Sequence, residues 1–230
     1  PVCKTSDNRQ VLFNDECFYS PVRWLTAAQI ICLASHIRQT SPKTVLDVGS
    51  GSGMLMIALA SIFPEQQFVG LELTEAGIES AMKAMQDKRL VTSICDFVFG
   101  EDALHGIVFP ITNLSFNRVD MSKSLPDMSA QFLFSSLAFE QMESVFDSSF
   151  SNSLELFTER AMFFEPFLEF NSPMKRKVLK SKKYMYRTFP SEKITDNSKV
   201  KFLSMPKNLN KTKFSFGIVT VETLQLLKAP

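Results

Sequence analysis

The sequence predicts an α/β fold in which a mostly parallel sheet carries helices on both faces and an antiparallel hairpin closes its C-terminal end. Short apolar runs alternate with helix-period segments from residue 43 onward. A glycine-rich turn joins the first such run to the first such helix, and two β-rich runs separated by a polar Asn-Lys loop end the chain.

The elements read in order as follows. "SPVRWLTAAQIICLASHIRQ" (20–39) opens on a Ser-Pro helix entry and places Trp24, Ala27, Ala28, Ile31 and Ala34 at helical spacing. "KTVLDVG" (43–49) is a buried strand that stops at glycine, and "SGMLMIALASIF" (52–63) is a helix ended near Pro64. "QFVGLEL" (67–73) is a second strand, followed by a helix over "TEAGIESAMKAMQDK" (74–88) with Thr74 as its N-cap. Residues 90–113 mix apolar and turn residues without a clear period and predict no element. "LSFNRVDMSKSLPD" is a strand ending in Asp120 and then a Pro-marked turn, and "AQFLFSSLAF" is another strand. "EQMESVFDSSFSNSLELFTER" is mostly helix, and "AMFFEPFLEF" (161–170) is a fifth strand that breaks at Pro166. The last two runs, within 200–223, form the closing hairpin.

Composition narrows the class. A chain of 230 residues, 45% hydrophobic and 21% charged, buries a full core as an ordinary globular protein does. No apolar run reaches the roughly 18–20 residues needed to span a bilayer, so no transmembrane segment is expected. The most apolar early segment, 25–37, carries His36 and is flanked by Arg23 and Arg38. Four cysteines without paired spacing and two histidines argue against a metal site or a disulfide framework. Scattered thiols suit a reducing compartment, so the expected location is intracellular, in the cytoplasm. No repeat, low-complexity segment or clean linker divides the chain. A single domain over 1–230 is expected: a lead-in and helix at 1–42, a ligand-binding core at 43–170, and a basic segment with the closing hairpin at 171–230.

The net charge of +1 hides an asymmetry. Residues 1–170 hold 11 Lys and Arg against 21 Asp and Glu, whereas residues 171–213 hold 13 against 2. The basic stretch reads either as a solvated face or as a contact surface for an anionic partner. Tyr184, Tyr186 and Phe189 are its possible stacking surfaces for RNA bases.

The stretch "VLDVGSGSG" is the strongest motif. Glycine is required where the backbone bends sharply with positive φ, or where a ligand touches main chain. The dinucleotide pattern GxGxxG fails, because Met54 and Met56 stand where its third glycine would be. The phosphate-cradling GxxxxGK[ST] fails for want of a lysine. Acid-x-Gly-x-Gly-x-Gly suits instead a ligand with an amino acid tail and an adenosine: Asp47 supplies negative charge for an ammonium, and Glu72, at the end of the next strand, accepts hydrogen bonds from ribose hydroxyls.

"VLDVGSGSG" followed by "FVGLEL" resembles the first two binding motifs of the class I S-adenosylmethionine-dependent methyltransferases, over roughly residues 43–170. The resemblance implies a three-layer Rossmann-like sandwich with a seven-stranded sheet whose last strand is antiparallel. It implies S-adenosyl-L-methionine as cofactor, bound by Asp47, Gly49, Ser50, Gly51, Gly53, Glu72 and Leu73. Asp120 would bond the adenine amino group, with the Met121 main chain beside it and Asp102 as a rival acid. Ser135 would line the cofactor near its methyl donor, or else pack in the core.

The acceptor is not legible. "FLFSSLAFEQM" lacks the [DNS]PP[YFW] motif of exocyclic-amine methylation, and no Pro-Cys pair marks a cytosine-ring nucleophile. His36 and His105 are candidate bases, although a lone histidine is more often structural. Glu140 and Glu165 are expected on the substrate side, and Tyr19 and Trp24 are lid candidates. The expected function is methyl transfer to an unidentified acceptor, anionic or linked to nucleic acid or protein. The alternatives are a catalytically inactive methyltransferase-like binding subunit and an aminopropyl transferase, which "FSSLAF" disfavours because it offers no acidic polyamine pocket.

Overall fold

The computed structural model describes residues 8–13, 16–21, 23–99, 106–123, 125–174, 176–177, 187–204 and 217–223. The strands are β1 (Asn8–Phe13), β2 (Glu16–Pro21), β3 (Thr44–Val48), β4 (Gln67–Glu72), β5 (Leu114–Arg118), β6 (Ala130–Ser136), β7 (Phe157–Glu165), β8 (Ser198–Ser204) and β9 (Gly217–Thr223). The helices are α1 (Arg23–Thr40), α2 (Met54–Ile62), α3 (Glu75–Gln86), α4 (Lys88–Phe99) and α5 (Phe146–Glu155). Among the described residues, seven strands form one sheet in the order β5-β4-β3-β6-β7-β9-β8. The first five run parallel, and β9 inserts antiparallel between β7 and β8. The order reverses beside β3, which pairs with β4 on one side and β6 on the other. Open sheets of this kind bind ligands at that switch point, beyond the carboxyl ends of the strands.

Strands buried on both faces need a layer of helix on each. One face packs Val45, Phe68, Phe132, Phe134 and Phe164 against Ile30, Leu33, Met56, Ile57, Val91 and Ile94 of α1, α2 and α4. The other packs Leu46, Val48, Leu133, Ala161 and Phe163 against α5 and the segments that flank it. There, Phe150 sits 5.1 Å from the Phe163 ring centroid and 5.5 Å from both Phe146 and Phe189, and Phe139 lies 5.6 Å away. Asn113, buried ahead of β5, donates its amide to the carbonyls of Ala60, Phe63 and Gln66, and so closes the C-terminal end of α2.

Several elements differ from the sequence expectation. Residues 90–113, for which no element was expected, begin with most of α4, a separate helix that starts one residue after Asp87. Asp87 Oδ1 accepts from the amides of Arg89 and Leu90, which caps that helix. β1 and β2 pair as an antiparallel two-stranded sheet that the sequence did not signal. β7 begins at Phe157, four residues before the expected start, so the preceding helix is shorter than its pattern suggested. Helix α5 begins only at Phe146, after two 3-10 turns. The closing hairpin falls where it was expected, and Thr74 caps α3 by accepting from the Gly77 amide at 3.1 Å.

Phe150→Ala should destabilise the protein by about 3–5 kcal/mol, the cost of emptying a large aromatic site that cannot fully collapse. Urea unfolding at constant m-value measures this. A loss below about 1 kcal/mol would mean that the phenylalanine cluster contributes little to the second face.

Candidate functional site

A cleft of about 680 Å³ opens at the carboxyl ends of β3, β4 and β6. Its wall includes Gly49, Ser50, Gly51, Glu72, Leu73, Asp120 and Met121, so seven of the ten residues singled out from sequence meet there. The loop that follows β3 is anchored to β4, with the amides of Gly49 and Ser50 both donating to the Leu71 carbonyl, at 2.8 and 3.0 Å.

The glycines answer different demands. Gly51 has φ +52, and a Cβ built on it would meet nothing within 4 Å, so its open side faces the cleft. Gly49 has φ +78, and a Cβ there would lie 2.2 Å from the Ala138 Cβ. Gly53 is buried instead of lining the cleft; a Cβ there would strike Phe116 and Ala81, so this glycine serves helix packing.

Glu72 holds the two loops together. Its Oε2 accepts from the Gly51 amide at 2.9 Å, while Oε1 accepts from the Thr74 amide at 2.9 Å and the Thr74 hydroxyl at 2.6 Å. Three donors take three of the carboxylate's roughly four lone-pair sites. Beneath the loop lies Asp47, 2% exposed, whose Oδ1 has no hydrogen-bond partner among the described residues. Burial, and then the charges of Glu72 and Glu165, push its carboxyl well above the ordinary value.

Asp120 accepts from the amide and hydroxyl of Ser122 through Oδ1 and pairs with Lys123 at 2.9 Å through Oδ2. These hydrogen bonds hold its carboxyl down to about 2. Much of its accepting capacity is therefore spent inside its own turn. The Met121 carbonyl accepts from Asn152 of α5 at 2.7 Å, which ties this turn to the second helical layer.

Ser135 is fully buried and donates to Glu165 at 2.9 Å, so it packs in the core. The period-two alternation of β6 turns it away, and Ser136, Leu137 and Ala138 reach the cleft instead. Glu165 is likewise buried, holding backbone amides and not facing the cleft as an acid on the substrate side. His36 lies away from the cleft, toward the amino-terminal ends of β6 and β7, against Phe132 and beside Arg160, which holds Glu222 at 3.0 Å. Burial and the Arg160 charge lower it to about 4, so it is neutral at physiological pH. Asp102, His105 and the side chains of Tyr19, Trp24 and Glu140 lie outside the described residues.

Sequence reasoning missed Thr26 and Gln29 of α1, and Gln141, Met142, Val145 and Ser149, all of which line the cleft. Gln29 left a readable trace: an amide inside the apolar run "AAQIICLA", one helical turn after Thr26. A second groove of about 460 Å³ lies on the far side of the α5 N-terminus, with Arg176, Lys177 and Arg187 on its wall beside Phe146, Asp147 and Glu192. Arg187 pairs with Asp147 at 3.0 Å and stacks 5.0 Å above the Phe146 ring. Phe189, considered for base stacking, is 3% exposed inside the phenylalanine cluster and has no face free for a base. Residues 178–186, with Tyr184 and Tyr186, lie outside the described residues, as does Lys175.

A family model described as a putative methyltransferase matches residues 41–140, from the turn before β3 to the turn after β6. The malonyl-[acyl-carrier protein] O-methyltransferase of Legionella pneumophila is 30% identical over 95 residues, and the match covers only 34% of that protein's length and 34% of this chain. Among solved structures, the magnesium protoporphyrin IX methyltransferase of Synechocystis PCC 6803 with bound SAH superposes with a TM-score of 0.59 at 13% identity, covering 87% of this chain and 84% of that one. The methyltransferase domain of bacterial CtHen1 gives 0.59 at 13% identity, over 86% and 98%. The N-methyltransferase NodS of Bradyrhizobium japonicum WM9, in complex with S-adenosyl-L-homocysteine, gives 0.58 at 8% identity, over 89% and 88%. The chain has the class I methyltransferase fold. Within it, residues 41–140 carry the sequence signature of a methyltransferase family.

The Asp47 carboxyl titrates higher in the folded chain than its ordinary 3.8, so between those two values the folded state holds a proton that the unfolded state has lost. Stability therefore falls as pH rises through that window. Asp47→Asn, which stays neutral, should be more stable than the wild type at pH 7, and the gap should close as pH falls toward 4. Urea unfolding across pH 4–8 checks this. A variant of equal or lower stability at pH 7 would mean that Asp47 is stabilised as an anion.

Proposed function

We propose that this chain is an S-adenosylmethionine-dependent methyltransferase whose acceptor carries anionic groups, as a nucleic acid or a protein-linked acid does. The observation that carries the cofactor reading is the open side of Gly51 next to Glu72, at the sheet's switch point. The site suits the cofactor in three respects. Its volume of about 680 Å³ lies in the usual range for such ligands. The buried, unpartnered Oδ1 of Asp47 leaves a hydrogen-bond acceptor below the loop for a cationic group, whose charge would in turn favour the ionised carboxylate. Glu72 retains a lone-pair site on Oε2 for one ribose hydroxyl.

In this reading Gly49, Ser50, Gly51 and Gly53 shape the loop around the amino acid tail. Leu73, Asp120 and Met121 border the adenine. When bound, the cofactor supplies an electrophilic methyl group on a sulfonium. The chain's own work is then to hold an acceptor in line and keep water away, which accounts for much of the rate in such a displacement. Gln29, Gln141 and Ser149 offer neutral hydrogen-bonding groups on the wall for that purpose.

The anionic acceptor is supported by the basic segment 171–213 and by the groove holding Arg176, Lys177 and Arg187. The cleft and this groove lie on either side of the start of α5, with Val145 and Ser149 on one wall and Phe146 and Asp147 on the other. We take residues 1–230 as one functional unit acting inside the cell. No helix among the described residues is long and apolar enough to cross a membrane.

S-adenosylhomocysteine at a hundredfold excess over its Kd should raise the melting temperature by about 5–10 °C, from roughly 2.7 kcal/mol of linkage in a protein of this size. Gly51→Val should abolish the shift, because a β-branched side chain resists positive φ and enters the cleft. No wild-type shift at millimolar ligand would leave the inactive binding subunit as the better reading.

For the acceptor, labelled cofactor should transfer methyl into the RNA or protein fraction of an extract. Neutralising Arg176 and Lys177 to Gln should raise the apparent KM for that fraction at low salt, with the effect shrinking as salt rises. Label confined to small molecules, with no salt dependence, would remove the anionic-polymer reading.

A further inference from the structure

We propose that Glu165 is a positioning residue: it fixes the turn after β6 against the glycine loop and thereby sets the shape of the cofactor cleft. The proposal rests on the cofactor reading above, but it concerns a residue outside the cleft wall. Glu165 is the last residue of β7 and is 0% exposed. Its Oε1 gathers three donors from the neighbouring strand's exit: Ser135 Oγ at 2.9 Å, the Ala138 amide at 3.0 Å and the Phe139 amide at 3.2 Å. A buried carboxylate is tolerated where such donors converge on it.

Two further observations say what this arrangement holds. Leu137, between Ser135 and the two bonded amides, has φ +57. A leucine adopts the left-handed region only when its surroundings over-determine it. Its amide is bound to the Phe164 carbonyl at 3.1 Å, so β7 grips the turn on both sides of the strained residue. Next, Ala138 lies so close to Gly49 that no Cβ fits between them. The turn and the glycine loop are therefore interlocked, and Ser136, Leu137 and Ala138 form cleft wall where they meet. A shift of the turn would move Gly49 and, two residues on, Gly51.

The test uses the full chain with S-adenosylhomocysteine as probe, by calorimetric titration, and amide hydrogen exchange without ligand. Glu165→Gln keeps the shape and removes the charge. It should remain folded, accelerate exchange at Ala138 and Phe139, and weaken probe binding by about tenfold, the scale of one charge-assisted hydrogen bond. Glu165→Ala should weaken it further.

The discriminating variant is Leu137→Gly, since glycine accepts φ +57 without strain. In that background the loss on Glu165→Gln should shrink to about twofold or less, a coupling that a generally destabilised fold would not produce. Equal losses in both backgrounds would overturn the proposal, as would unchanged exchange at Ala138 and Phe139 in Glu165→Gln. Failure of the wild type to bind the probe would remove the cofactor reading, and the exchange measurement would then decide alone whether Glu165 holds the turn.

Discussion

The hydrogen bond from the Gly51 amide to Glu72 Oε2 joins two loops that are 21 residues apart in sequence, and the geometry of the cleft depends on it. It exists because β3 and β4 pair in parallel, with Val48 opposite Leu71, so that both strands release their chains at the same edge. The loop after β3 then leans on the Leu71 carbonyl, and the same Glu72 carboxylate holds Thr74, which caps α3. One acid thus positions a cleft-facing backbone turn and the start of a helix together. A charge-assisted hydrogen bond of this kind is stronger than a neutral one, which matters for a loop that has few side chains to pack.

Helix α5 serves the second face in a comparable way. Its ten residues send Phe146 and Phe150 into the core, Asn152 to the Met121 carbonyl, Ser149 to the cleft and Asp147 to Arg187 and Lys193. The helix separates the cleft from the second groove. The described wall of the cleft includes Glu72 and Asp120, while the groove beyond α5 carries Arg176, Lys177 and Arg187 beside Asp147 and Glu192. Asp47, Glu72 and Glu165 lie near enough to one another that the latter two raise the Asp47 carboxyl. Such a site carries an electrostatic cost in the free protein and favours a ligand that brings positive charge.

The cleft was legible in the sequence because its key features are local. Three glycines at alternate positions after an apolar run announce a turn with positive φ, and the following strand ends in an acid at the spacing such sheets use. Those signals need only the chain on either side of one turn. Alternation of short apolar runs with helix-period segments likewise determined the layer architecture, and the polar loop between two β-rich runs determined the closing hairpin. Helix α4 was also written there, with Val91, Ile94, Cys95 and Val98 at helical spacing after the capping Asp87, but its β-branched and aromatic residues obscured the period.

What only the tertiary structure decided is which groups meet across the sheet. Ser135 and Glu165 are 30 residues apart and become partners because β6 and β7 pair side by side, a register no local pattern encodes. Phe189 follows a basic stretch and looks exposed by its neighbours, yet it closes a cluster with rings from the turn after β6, from α5, from β7, from the segment after β7 and from β8. Asp120 has the right place after β5, but its own turn claims its oxygens before any ligand does. Thr26 and Gln29 reach the cleft only because α1 packs beside the loop after β3. Backbone turns and hydrophobic periods follow from neighbours in the chain and can be read from it; the direction a polar side chain faces, and the partner it finds, follow from how distant elements pack.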